Sequence, residues 1–411
     1  MTVEKPPEQD VNCRIEEWEQ YHLRLFFSAD IVGSTAFKQK PEGVGGSRPG
    51  ADPTWFSTVL SFYHQAEKSF NEHWNNYQKA IGSSEDVAHW FGPAPDVWKT
   101  VGDEVLFTKR TEHPMQALMA IHAWCQTLSD LRQQLRSKYG LDVKSCVWLA
   151  DFPLKNQEVV LGHSKPNGED DFAHLNREAL KAFYISDGAN KKLLLRDFIG
   201  PSIDTGFRLG AFASPRKLII SLELAHLLAT EQAHAESNGG WHSRGPSAIK
   251  KFSFRFDGKH QLKGVLAGSP YPVFWIDLDP ESSIHRTEDE LKAAVKPSAH
   301  QIKDFTDAML AEYSSLLGIP MFAESSGRLA PGHKVIGIEV SDAIDARRTL
   351  HQAQKKKQEN EEVDIASNDD TDTTQKAVRS TADVKSDLTQ LQLKQREIQE
   401  RFFGKPRPSQ E

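Results

Sequence analysis

The run from Leu23 to Ile31, LRLFFSADI, constrains the fold more than any other stretch. It is too continuously apolar for a one-faced amphipathic element, so it reads as a buried strand. It runs into Asp30-Ile31-Val32-Gly33-Ser34-Thr35. A second stretch, Trp98-Lys99-Thr100-Val101-Gly102-Asp103-Glu104-Val105-Leu106-Phe107, reads as part of a hairpin: strands Asp96–Val101 and Val105–Lys109 joined by a Gly-Asp turn. Each stretch sets one carboxylate, Asp30 or Asp103, at a strand end beside a glycine. Either aspartate alone would pass for an ordinary turn residue. Together, beside backbone that can approach closely, they suit a divalent metal holding a triphosphate.

The remaining elements predict a mixed α/β (α+β) sheet flanked by helices, with a C-terminal helical extension. Residues 1–20 are a polar lead-in, and 38–53 are a Gly- and Pro-rich loop. Apolar spacing predicts helices over about 54–74 and 113–138, with a strand at Leu141–Ala150. Lys155–Asp171 is polar and turn-rich and reads as an insertion. Glu178–Ile185 is helix or strand, and Lys191–Phe198 leads into a further site region. A helix is expected from Asp204 to Phe212, then a strand at Lys217–Ser221 and a helix of about ten residues. Residues 231–250 read as a polar loop, and Lys251–Phe256 and Pro272–Leu278 as closing strands. Beyond about 280 the spacing predicts a helix over Glu288–Leu317 and a short strand over Lys334–Val340. The domain reading is 21–279 for the catalytic unit, 280–351 for an extension and 352–380 for a disordered linker. Residues 381–404 are expected to form an amphipathic helix, with Val384, Leu388, Leu391, Gln395, Ile398 and Phe402 at heptad-like spacing.

Composition narrows the class of function. The chain has 411 residues, 38% hydrophobic, with 50 basic against 57 acidic side chains and a net charge of −7. That balance gives no global field for nucleic acid or an anionic membrane, so basic groups must act locally. Three cysteines without paired spacing argue against a disulfide framework or a structural zinc site. The sixteen histidines do not cluster at metal-ligand spacing. No run reaches the roughly 18 apolar residues that span a bilayer, and the N-terminus lacks the apolar core of a signal peptide. The expectation is a cytoplasmic, soluble protein.

The two carboxylate motifs resemble those of the class III nucleotidyl cyclases, which carry F-x-D-I-x-G-[FS]-T in a first strand and K-x-x-G-D in a hairpin. A third stretch, from Asp197 to Leu209, is similar to the family's D-x-x-G-x-x-V-N-x-A-x-R-[LM], and Leu262-Lys263-Gly264 to its L-K-G strand. The resemblance covers about residues 20–278. It implies Asp30, Asp103 and the Ile31 carbonyl as ligands of two Mn2+ or Mg2+ ions. It implies Lys99 and Asp197 as readers of the base, and Arg208 as the group facing charge on the phosphate. Lys144 and Lys263 are candidate phosphate-binding cations, although by base rate each would be a surface lysine. Asp204 stands where the family has Asn to orient the ribose, and Phe207 where small residues are usual. An acid there is electrostatically unfavourable near a triphosphate unless it meets a hydroxyl or a cation. These departures, the polar insertions and the long extension look like the bacterial Pycsar pyrimidine cyclases, which make cyclic UMP or cyclic CMP as an alarm against phage. The resemblance therefore implies a homodimer with shared sites, converting UTP to cyclic UMP. A lysine donor and a carboxylate acceptor also suit cytosine and adenine. A catalytically silent nucleotide-binding module is the reading from a different class.

Overall fold

In the computed structural model the described residues are 18–39, 53–81, 90–161, 172–185, 194–238, 250–292, 295–323, 329–350 and 353. Apart from residue 353, the linker expected over 352–380 and the heptad-like helix expected over 381–404 lie outside them. Strand β1 (His22–Val32) is followed by a short helix α1 (Ser34–Lys38) and a long one, α2 (Thr54–Ile81). The hairpin β2 (Asp96–Val101) and β3 (Glu104–Thr111) comes next, then α3 (Pro114–Tyr139) and β4 (Asp142–Phe152). Helix α3 starts at Pro114, with the His113 side chain accepting from the Met115 amide, and stops at left-handed Gly140.

Strands β5 (Gln157–Leu161) and β6 (Leu195–Ile199) form a separate two-stranded antiparallel ribbon. The part of the expected insertion at 157–161 is thus a strand, and residues 162–171 lie outside the described ones. Its Glu-Val-Val alternation is too short to betray a strand whose partner is far along the chain. Helix α4 (Phe172–Ile185) resolves the helix-or-strand alternative as helix.

Helix α5 (Pro201–Leu209) starts three residues before the expected Asp204, because Pro201 is an unstrained first helical residue. It ends before Phe212, where a 3-10 turn covers Gly210–Phe212. Strand β7 (Lys217–Ile220) leads through the cap Ser221 into α6 (Leu222–Ser237), so the expected loop at 231 begins seven residues later. Strands β8 (Phe254–His260) and β9 (Tyr271–Asp277) complete the main sheet.

The single helix expected over Glu288–Leu317 is two helices, α7 (Ser283–Leu291) and α8 (Ala299–Glu312). Pro297 disfavours helical backbone before it, and Ser298 with Gln301 builds a capping box that starts α8 afresh. A two-residue strand β10 (Met321–Phe322) pairs with β11 (Lys334–Val335), and residues 338–350 are helical. The strand expected over Lys334–Val340 is therefore limited to its first two residues. No helix among the described residues is long and apolar enough to cross a membrane.

The main sheet has seven strands in the order β2-β3-β1-β4-β7-β9-β8, with only β4 and β7 parallel. Alternation along β1 divides the core. Leu23, Leu25, Phe27, Ala29 and Ile31 join the cluster formed with α2, α3 and α6. Its centre is Trp124, whose ring lies 4.8 Å from Phe70 and 5.4 Å from Phe27 and whose indole N–H donates to Ser145 Oγ. On the other face Phe26, Leu106, Trp148 and Phe152 pack with Phe198 of β6 and with Ile203 and Leu209 of α5. Ala299, Ile302, Phe322, Val340 and Ile344 join the first cluster, and Met309, Leu310 and Leu317 the second. Residues beyond 280 thus add to both cores.

Burial of Glu223, in the first turn of α6, pushes its carboxyl up to about 7, opposed by hydrogen bonds from its own amide and Ser221. A carboxyl that holds its proton only in the folded state stabilises fully below the unfolded value of about 4.3, and that stability is lost as pH rises to about 7. Glu223→Gln should therefore gain on the parent protein through that window, on the order of 2–3 kcal/mol by pH 7.5. Urea unfolding of both proteins at pH 5 and pH 7.5 checks it; an equal gap at the two values contradicts it.

Candidate active site

Asp30 lies near the end of β1, where its neighbours across the sheet are Glu104 of β3 and Lys144 of β4. Strand alternation aims all three side chains to the face that carries Phe26 and Trp148. Lys144 Nζ reaches Asp30 Oδ2 at 3.0 Å. Asp103 sits in the β2–β3 turn, which needs Gly102 at φ +67°. The Tyr63 hydroxyl of α2 donates to the Gly102 carbonyl. Lys38, the last residue of α1, donates to Asp103 Oδ1 at 2.9 Å.

Asp30 and Asp103 are close enough to perturb each other. Burial pushes the Asp30 carboxyl up, and the charge of Asp103 adds to that while Lys144 opposes it. Burial also works against the Asp103 charge, but hydrogen bonds from Ser34 and Lys38 outweigh it and hold that carboxyl below its usual value. Glu104 is raised by burial and by Asp30, against a hydrogen bond from Ser28. The two aspartates, Ile31, the segment to Ala36 and Lys144 line an open cavity of about 500 Å³.

These donors fit a divalent cation in part. Among the described residues no group of three or more His, Cys, Asp or Glu side chains is arranged to hold a metal alone. Mg2+ and its relatives are, however, commonly held by one or two carboxylates with substrate phosphates and water filling the other positions. The Ile31 side chain is buried in the opposite core, so only its backbone can face the cavity.

The second group lies on the same face. Between Val97 and Lys99 the β2–β3 register shifts, so Val97 pairs with Phe107 and Lys99 with Leu106. This bulge turns two consecutive side chains, Trp98 and Lys99, toward one face. Lys99 Nζ stands 4.2 Å over the Trp98 ring and donates to Asp197 of β6 at 2.8 and 3.1 Å. Asp197 Oδ1 also accepts from the Phe198 amide at 2.9 Å. Helix α5 approaches β4 closely because Gly206 rests on Trp148; a Cβ there would lie 2.2 Å from the indole. Phe207 packs 5.4 Å from the Trp148 ring. One turn of helix puts Asp204 and Arg208 on one side, with Arg208 Nη1 donating to the Asp204 carbonyl at 3.0 Å. Lys263 is exposed on the turn between β8 and β9.

The structure thus brings Asp30, Asp103 and Lys144 together, and Lys99 with Asp197. Sequence reasoning passed over Lys38, Ser34, Tyr63 and Glu104. Glu104 was adjacent to a recognised motif, but only strand register reveals that it faces Asp30.

The chain matches no family model and no curated protein. Among solved structures it is similar to the adenylyl cyclase CyaB from P. aeruginosa, at 15% identity over 62% of this chain and 94% of that one, with a TM-score of 0.34. It is similar to the guanylate cyclase domain of RhGC from Catenaria anguillulae, solved with GTP, at 12% identity over 62% and 97%, TM-score 0.33. An adenylate/guanylate cyclase/hydrolase from Silicibacter pomeroyi aligns at 14% identity over 64% and 99%, TM-score 0.31. No residue role in this chain follows from those likenesses.

Proposed function

We propose that this chain is a nucleotidyl cyclase that converts UTP to 3′,5′-cyclic UMP and pyrophosphate. The observation that carries the reading is a carboxylate pair at one end of a sheet face and, on the same face, Lys99 paired with Asp197 of the ribbon packed over it, a pair of base-reading chemistry. The choice of uracil rests on the resemblance of the sequence to the Pycsar enzymes, as does a role in antiphage defence.

The 3′-oxygen attacks the α-phosphorus, its proton passes to solvent water, and the bond to the bridging oxygen breaks to release pyrophosphate. Two Mn2+ or Mg2+ ions held by Asp30, Asp103 and the Ile31 carbonyl would favour the alkoxide and screen the phosphates. Lys99 donates to a carbonyl oxygen of uracil while Asp197 accepts from N3–H. Arg208 faces the charge that grows on the phosphate. Asp204 takes a ribose hydroxyl as an acceptor in place of an amide. The reading includes a homodimer in which the carboxylates of one protomer face Lys99, Asp197 and Arg208 of its partner. Val101 and Phe207, 51% and 40% exposed on that face, supply apolar surface for such a contact.

Equimolar ATP, GTP, CTP and UTP with Mn2+ test the reading. Cyclic UMP as the main product is the expected result. Cyclic CMP or cyclic AMP would keep the chemistry and overturn the base. Tight nucleotide binding with no cyclic product and no pyrophosphate would overturn catalysis in favour of a silent binding module.

A further inference from the structure

Lys38 has no part in the reading above, yet its ammonium sits 2.9 Å from Asp103, and its side chain is 29% exposed. The arrangement repeats on the other carboxylate, where Lys144 sits 3.0 Å from Asp30. Two adjacent carboxylates repel, and here each is neutralised by its own lysine. A divalent ion entering between the aspartates must take oxygen atoms that these ammonium groups now hold.

Charge balance says where a displaced lysine would go. Roughly four negative charges on a triphosphate and two on the aspartates meet four positive charges on two divalent ions, which leaves about two negative charges. Beside Arg208, Lys38 and Lys144 are the cations placed at the carboxylates to share that compensation. Lys38 ends a short helix whose preceding residues, Ser34 to Ala36, line the cavity, so its flexible stem starts beside the space the phosphates would fill.

Resting on the cyclase reading, we propose that Lys38 is an exchange cation: it pairs with Asp103 as long as no metal ion competes for the carboxylate and passes to the triphosphate when metal takes it. It competes with metal alone and cooperates with metal plus phosphate. A lysine that merely ties α1 to the hairpin would do neither selectively.

The test is binding to the full chain of Mn2+ alone, read as free Mn2+ by electron paramagnetic resonance, and of preformed Mn2+–triphosphate, read as protein-bound phosphate by equilibrium dialysis, since triphosphate holds Mn2+ in solution as well. Inorganic triphosphate makes the outcome independent of the base. For Lys38→Gln we expect Mn2+ alone to bind about 3–10-fold more tightly and the Mn2+–triphosphate complex about tenfold more weakly. Lys38→Arg, which keeps the charge, should stay near the parent in both. Equal shifts in one direction, or none, overturn the exchange role and leave the cyclase reading standing. A parent protein that binds no Mn2+ even with triphosphate overturns both.

Discussion

Asp103→Asn should lower cyclic nucleotide formation by about three orders of magnitude or more while leaving the fold intact. An amide keeps the shape but loses the charge that a divalent ion needs, and metal stabilisation of a phosphoryl transition state is worth several kcal/mol. The fold should tolerate the change because Asp103 lies in a turn, 21% exposed, and its only described ion pair is with the partly exposed Lys38. Pairs of that kind contribute about 1 kcal/mol or less. The measurement is the turnover number at saturating Mn2+ beside a thermal melt of the same sample. Activity within tenfold of the parent, with an unchanged melt, would remove Asp103 from the chemistry.

Gly206→Ala carries the largest expected structural effect. The added Cβ would meet three indole atoms of Trp148 at 2.2 to 2.5 Å. The indole cannot retreat, because Phe26 stacks behind it with ring centroids 5.5 Å apart and an interplanar angle of 11°. Overpacking a filled site costs about 1–3 kcal/mol and sometimes more, and rigid neighbours on both sides put this substitution at the upper end. Relief comes by moving α5 off the sheet, which also displaces Asp204, Phe207 and Arg208, so turnover should fall with stability. Combining Gly206→Ala with Trp148→Ala isolates the cause. If the clash is responsible, the double variant costs clearly less than the two single changes together. Simple additivity would mean that Gly206 matters for another reason.

Local signals carried much of the sheet. A glycine turn between apolar strands marks β2 and β3, and the apolar run at Leu23 marks β1, all within a few residues. Strand β5 escaped because its partner β6 lies more than thirty residues onward, so nothing nearby distinguishes it from a polar loop. The break between α7 and α8 was legible in Pro297 and Ser298, whose local chemistry outranks the apolar spacing that runs through them. At the site, motif residues could be named from the sequence, but their partners could not. Lys38 meets Asp103 across 65 positions, and Lys99 meets Asp197 across 98. Such pairings are set by register and by helix placement, which no short window contains.

The Lys99–Asp197 contact joins two separate sheets: Lys99 belongs to the seven-stranded one and Asp197 to the β5–β6 ribbon. Phe198, beside Asp197 in the ribbon, packs against Phe26, Trp98 and Phe152, and Glu158 of the ribbon pairs with Arg24 of β1, so the ion pair is not what fastens the ribbon to the sheet. The two side chains can exchange partners while the layers stay seated on one another.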